Sequence, residues 1–195
     1  MSFNPPKQVQ MMIKHYDINS TDNRDEALIA RAVQYVKKPL WAYFRPMIRG
    51  TEHIPEGAGL YVGNHSGGIM TPDSFLFGCE VFEKRGLKDL PFGLTHVTAI
   101  KAPLVHQIIV PLGAIKASHQ NAHKLFQQGK KVLVYPGGDI DALRPFRDKD
   151  RIIFEERRGY IRLALREHVP IIPVISAGSR QRPPPKGRGL KESLC

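Results

Sequence analysis

The sequence predicts an α/β domain in which a mixed central sheet is flanked by helices. Three observations carry this expectation. Short apolar runs recur at 59–63, 107–111, 132–135 and 171–175, each of strand length. Helical patterns separate them, and strands alternating with helices build layered α/β domains. Two of the runs break into loops loaded with glycine and ionisable groups: Gly63-Asn64-His65-Ser66-Gly67-Gly68 after the first and Pro136-Gly137-Gly138-Asp139 after the third. Open α/β sheets hold their ligands at strand ends of this kind.

In chain order, residues 1–24 are polar and are expected as a flexible lead-in. From residue 25 to 38, Ile29, Ala32, Val33 and Val36 fall at i, i+3, i+4 and i+7, one face of a helix, and Pro39 is expected to stop it. Trp41, Tyr43, Phe44 and Met47 follow, interleaved with Arg45 and Arg49. Rings among basic residues suit a membrane interface and equally the packing edge of the first helix; both readings stand at this point. After the first strand a helix is expected from Thr71-Pro72-Asp73, with Thr71 as N-cap and Pro72 at the first helical position. Another is expected from Ser118 to Gln128, stopped by Gly129. A third runs over 153–168, with Ile161, Ala164, Leu165 and His168 on one face. From Ser179 the chain is rich in Pro, Arg and Gly without apolar periodicity and reads as a disordered basic tail. The expected organisation is a lead-in over 1–24, a domain over 25–178 and a tail over 179–195.

The bulk properties narrow the function. A chain of 195 residues, 42% hydrophobic and 24% charged, has the composition of a globular domain able to bury a core. No run approaches the roughly 20 apolar residues of a membrane-spanning helix, and the polar start lacks the pattern of a secretory signal. Cys79 and Cys195 are too few and too far apart for a disulfide framework. A net charge of +11 favours an anionic partner. No zinc finger, helix-turn-helix or RNA-binding aromatic signature accompanies it, which argues against nucleic acid. The expected location is cytoplasmic, peripheral on the cytoplasmic face of a membrane, without a transmembrane helix.

His65 is the leading chemical candidate. A neutral imidazole can take a proton from a hydroxyl near neutral pH. A carboxylate such as Asp73 would orient it and stabilise the imidazolium that forms. Gly67 and Gly68 would let backbone amides approach a substrate and serve as an oxyanion hole. Ser66 does not sit at the centre of a Gly-x-Ser-x-Gly elbow; the histidine occupies that place. His119 and His123 stand at i, i+4 but lack a third ligand, and the aspartates at 139, 141, 148 and 150 do not match a calcium loop, so no metal is expected. In the second glycine loop, Asp139, Asp141 and Arg144 are polar groups in an otherwise apolar setting.

Taken in order, His65 and Asp73, then Pro111-Leu112-Gly113-Ala114-Ile115-Lys116, then Tyr135-Pro136-Gly137-Gly138, then Val169-Pro170-Ile171-Ile172-Pro173-Val174 resemble the glycerolipid acyltransferase family, which includes the lysophosphatidic acid acyltransferases. The lead-in Arg49-Gly50-Thr51-Glu52-His53-Ile54-Pro55 fits as well, and the resemblance covers about residues 45 to 178. It implies a glycerolipid acyltransferase-like fold. The implied reaction moves a fatty acyl group from acyl-CoA, or acyl carrier protein, to a hydroxyl of a lipid acceptor. His65 would be the general base and Asp73 its orienter, with no acyl-enzyme, no metal and no cofactor beyond acyl-CoA as co-substrate. The substrate-binding positions it implies are Gly67, Gly68, Lys116, Ser118, Pro136, Gly137, Gly138, Asp139 and Arg144.

The departures from the family pattern are informative. The usual His-to-Asp spacing would place the carboxylate at position 70, which is Met70; here Asp73 is the first aspartate after His65. The place of the arginine that holds an acceptor phosphate falls near Ser118, with Lys116 two residues before it. A Pro-Glu-Gly-Thr motif is replaced by Pro136-Gly137-Gly138-Asp139, closer to the mono- and diacylglycerol acyltransferase branch. Together these changes favour a neutral hydroxyl acceptor over a glycerol phosphate. Family members commonly continue beyond the strand near Val174, so the domain reads as minimal or shortened there. The expected partners are acyl-CoA, a lipid acceptor and an anionic membrane surface; the oligomeric state is left open. The alternative is a catalytically inactive lipid- or acyl-CoA-binding protein of the same fold.

Overall fold

The computed structural model describes residues 14–65, 72–148 and 151–177. Five strands form one sheet: β1 (Gly59–Gly63), β2 (Phe92–Thr95), β3 (Ala114–Lys116), β4 (Lys131–Val134) and β5 (Ile171–Val174), in the order β3-β2-β4-β1-β5. All four pairings are parallel, so the sheet is not mixed as expected. The reason lies in the connections. Each pair of successive strands is joined through at least one helix, and such crossovers return the chain to the same end of the sheet.

The helices are α1 (Glu26–Phe44), α2 (Pro72–Arg85), α3 (Val97–Lys101), α4 (Pro103–Ile109), α5 (His119–Gln127), α6 (Gly138–Ala142) and α7 (Gly159–Glu167). Asp25 caps α1, its side chain accepting from the Leu28 amide at 2.9 Å. Pro39 does not end that helix; it removes one donor, and the helix runs on to a left-handed cap at Arg45 with φ +48°. The run expected as a strand at 107–111 belongs largely to α4. Pro103 at the first helical position pre-sets the backbone, and a short apolar run is ambiguous between strand and buried helix. The edge strand forms instead just beyond it, at Ala114–Lys116. β2 escaped the sequence reading because Pro91 and Gly93 interrupt its pattern. α7 covers only the second half of the helix expected over 153–168.

The core lies on both faces of the sheet. On one face Leu60, Val62, Phe92, Ile115 and Val132 pack against Ala122, Leu125 and Phe126 of α5 and Leu163 and Ala164 of α7. On the other, Tyr61 and Leu133 pack with Val81 of α2 and Ile54. Alternate residues of one strand thus serve opposite layers. The N-terminal end of the sheet is closed by charge. The Lys131 ammonium is fully buried and lies 3.0 Å from Asp89, which also takes a 2.9 Å bond from Arg85. Burial alone would raise the Asp89 carboxyl, but the bonds from Lys131 and Arg85 outweigh it and hold the carboxyl below its ordinary range.

Of the expected lead-in, residues 14–24 run along the β3 edge. The Lys116 amide donates to the Ile18 carbonyl at 2.8 Å, and Gln107 donates to the Lys14 carbonyl at 2.7 Å. Arg24 lies 3.6 Å over the Phe92 ring and donates to the carbonyls of Leu90 and Pro91; burial lowers its pKa to about 10. The tail expected over 179–195 lies outside the described residues.

Candidate active site

β1 and β4 are neighbours, with Val62 paired to Val134. Their C-terminal ends therefore deliver His65 and Tyr135 side by side. The two rings stack, with centroids 4.2 Å apart and planes 20° from parallel. That approach requires Gly63, because a Cβ there would stand 2.6 Å from Tyr135 Cε1. The Tyr135 hydroxyl is 2.5 Å from Ser74 Oγ on α2. Burial drives the phenol pKa well above its ordinary value, so the ring is a neutral platform. Asn64, the residue before the histidine, ties this strand end to the next: it donates to the Ser176 carbonyl and accepts from the Ser176 amide, each at 2.8 Å.

Beneath the histidine is a buried charge cluster. The His65 amide donates to Asp141 Oδ2 at 2.5 Å. Asp141 Oδ1 accepts from Arg144 at 2.7 Å and from the Ile153 amide at 3.2 Å. The Arg144 guanidinium also donates to the His65 carbonyl, to the Asp141 carbonyl at 2.7 Å and to the Asp148 carbonyl at 3.1 Å. Asp141 and Arg144 are 0% and 2% exposed at the side chain, so water does not weaken the pair. Gly137 is required here as well, since a Cβ would meet Asp141 Cβ at 2.3 Å and the Ile153 carbonyl at 2.4 Å.

The imidazole itself is half-buried. Its Nδ1 is buried with no hydrogen-bond partner among the described residues. Burial lowers its pKa; the charges of Asp73 and Asp141 work the other way, and Arg144 adds to the lowering. The net result is a ring held neutral at physiological pH. Asp73, in the first turn of α2 and 8% exposed, is close enough for its charge to act on both His65 and Tyr135.

The positions named from the sequence separate into groups. Asp73 lies close enough for its charge to act on His65, and the His65 Nδ1 accepts or donates no hydrogen bond among the described residues. Arg144 joins them from below, donating to backbone carbonyls and to Asp141. Gly67, Gly68, Ser66 and Thr71 lie outside the described residues. Lys116 ends β3, three strands from β1, roughly 14 Å away at normal strand spacing. Ser118 caps α5, its hydroxyl accepting from the Asn121 amide at 3.1 Å. Pro136 and Gly137 continue from β4 into α6, and Gly138 follows with φ +52°. Asp139 is exposed and pairs with Arg157 at 3.3 Å. His123 bonds Glu167 at 2.6 Å, and no cluster of potential metal ligands occurs among the described residues.

Tyr135, Ser74, Asp141 and Arg157 were not singled out as site residues. The signal for Asp141 was its place in the second glycine loop with Arg144. Nothing in the sequence marks Ser74 or Arg157.

This site sits in a recognisable chain. A family model described as diacylglycerol acyltransferase matches residues 8–182. The chain belongs to the diacylglycerol acyltransferase family. Among curated proteins it is similar to an uncharacterized protein of Mycobacterium tuberculosis, 29% identical over 142 residues, covering 72% of this chain and 39% of that one. It is also similar to human 2-acylglycerol O-acyltransferase 3, 27% identical over 168 residues, covering 82% and 48%. Diacylglycerol O-acyltransferase 2B of Umbelopsis ramanniana is 24% identical over 159 residues, covering 76% and 45%. The chain spans less than half the length of each of these relatives. No solved structure matches it significantly. The family match agrees with the mono- and diacylglycerol acyltransferase branch that the Pro136-Gly137-Gly138 motif resembles.

Proposed function

We propose that the protein transfers a fatty acyl group from acyl-CoA to a hydroxyl of a glycerolipid, with His65 as general base. The observation that carries this reading is a neutral, half-buried imidazole stacked on Tyr135, beside the buried Asp73 carboxylate, at the C-terminal ends of two adjacent parallel strands. With Nδ1 buried, Nε2 is the nitrogen left to meet the substrate. It takes the proton of the acceptor hydroxyl as that oxygen bonds to the thioester carbonyl carbon. The C–S bond then breaks, and the proton passes to the leaving thiolate, which departs as the free thiol. Asp73 stabilises the transient imidazolium, and the Asp141–Arg144 pair holds the histidine's backbone in place.

A neutral acceptor fits best. Arg144, the buried cation at this site, is committed to Asp141 and to backbone carbonyls, and Lys116 stands three strands away. The work surface is an anionic membrane. Leu104, Val105 and Ile108 of α4 are 82%, 41% and 58% exposed, and no acidic residue occurs between Leu90 and Gly138, a stretch that holds Lys101, Lys116, Lys124 and Lys130. Apolar side chains amid cations are the components of an interfacial lipid contact. Among the described residues no helix is long and apolar enough to cross a membrane.

The experiment is thiol release from acyl-CoA across a panel of monoacylglycerol, diacylglycerol, sterol and lysophospholipid acceptors, with His65→Ala as control. Turnover with a neutral glyceride, reduced about 10²–10⁴-fold by the substitution, is the expected result. Wild-type protein that binds acyl-CoA without turnover on any acceptor would instead establish the inactive binding protein. Preferred acylation of lysophosphatidic acid would overturn the neutral acceptor.

A further inference from the structure

The sheet's other face carries a cavity of about 330 Å³ at the C-terminal ends of β2 and β4. Its walls come from Leu94 of β2, Val134 of β4, and Tyr160 and Leu163 of α7, all part of the α5/α7-side core layer. Leu163 is only 4% exposed, so the floor is the core itself. Pro136, directly after the tyrosine that stacks on His65, also lines it. At the outer end stand Ser118 and Arg157, the latter donating to the Gly137 carbonyl at 3.3 Å and half-exposed.

We propose that this cavity binds the fatty-acyl chain of a lipid substrate, with the chain's polar end at Pro136, over the end of β4 from His65. The identity of the occupant rests on the acyl-transfer reading above; the cavity and its apolar walls do not. The volume sits at the low end for small-molecule sites. At roughly 30 Å³ per water-sized group it holds about ten methylenes. Two sources share this chemistry, the chain of the acyl donor and the chain of a glyceride acceptor. Lys116 does not line the cavity, and Arg157 at its outer end suits the anionic or polar end of a lipid rather than its chain.

Gly159 provides the test. It lines the cavity, has an ordinary backbone conformation, and a Cβ built on it meets nothing within 4 Å. It is also the first residue of α7, where a larger residue is tolerated better than glycine. Gly159→Phe therefore fills the cavity from a position that does not strain the fold. Fatty acids of increasing length are titrated into the full chain, into His65→Ala, and into Gly159→Phe, with thermal unfolding followed in parallel. For wild type and His65→Ala, affinity is expected to rise about threefold to fourfold per methylene and to level off near ten carbons. Gly159→Phe is expected to lose this dependence beyond short chains while melting as wild type does. Affinity that ignores chain length in wild type, or a length dependence unchanged in Gly159→Phe, overturns the proposal. A wild-type series without length dependence overturns the proposal even if the variant misfolds. Chain binding without any turnover would sink the enzymatic reading and leave the cavity standing. Where turnover is present, varying donor and acceptor chains separately shows which one Gly159→Phe restricts.

Discussion

Asp141→Asn isolates one charge in the buried cluster under His65. The substitution conserves shape but not the acceptor set. Asp141 accepts from three donors, the His65 amide, Arg144 and the Ile153 amide. An asparagine offers one carbonyl, so in either orientation its NH₂ faces at least one N–H. The larger effect is on Arg144, whose guanidinium is 2% exposed and loses the Asp141 carboxylate as a partner. Breaking a buried pair from one side costs about 3–5 kcal/mol, a large share of a typical stability of about 5–15 kcal/mol. At about 2–4 °C per kcal/mol for a domain of this size, the midpoint should fall by roughly 6–20 °C in a circular-dichroism melt. The double variant Asp141→Leu with Arg144→Met removes both charges and should recover most of that loss. The charge also acts on His65, raising its pKa, so the acid limb of the pH–rate profile should move to lower pH in Asp141→Asn. A melt within about 2 °C of wild type would refute the view that this pair holds the histidine loop.

Two further predictions concern pH and membranes. Because burial lowers the His65 pKa, kcat/KM should fall only on the acid side, with its inflection below the ordinary histidine value of about 6.5. The unfolded state then binds the proton more readily than the folded one, so His65 also makes stability drop as pH falls from about 6.5 toward the folded-state value. His65→Ala should lack this stability component in acid melts, and an inflection above about 6.5 would contradict the site described here. Leu104→Ser with Ile108→Ser changes two side chains that are 82% and 58% exposed, so the melt should be preserved. Binding to phosphatidylserine vesicles in a sedimentation assay should weaken about tenfold, from partial loss of the roughly 1.5–3 kcal/mol each side chain gains on burial. What binding remains should be salt-sensitive; equal binding by variant and parent would rule out α4 as the contact.

Much of the site's outline was legible because it is local. His65 follows an apolar run into glycine, and Pro136-Gly137-Gly138 ends another; both patterns survive in the fold as the C-terminal ends of two neighbouring strands. The helix over 119–127 was legible for the same reason, with Ser118 as its cap and Gly129 after it. The failures were of two kinds. The run at 107–111 was ambiguous, because apolarity without alternation suits a buried strand or a short helix, and Pro103 decided in favour of the helix. Ser74, Asp141 and Arg157 gain their roles from partners 61, 76 and 18 residues away, and no local pattern encodes a partner at that distance.

What the sequence by itself determines about this protein is its periodicities, its glycine breaks, its charge and the motifs that mark its family. These follow from short-range sterics and from the order of residues. Tertiary structure alone decides that the sheet is wholly parallel in the order β3-β2-β4-β1-β5, that the Asp73 charge acts on the histidine despite its displaced position, and that Arg144 donates to the carbonyls of His65, Asp141 and Asp148. It also decides that Lys116 ends a strand three places from β1 and that an apolar cavity opens across the sheet from His65. Each of these depends on which distant segments share a buried environment. There a neighbour's charge or a missing Cβ counts for more than any preference of the residue itself.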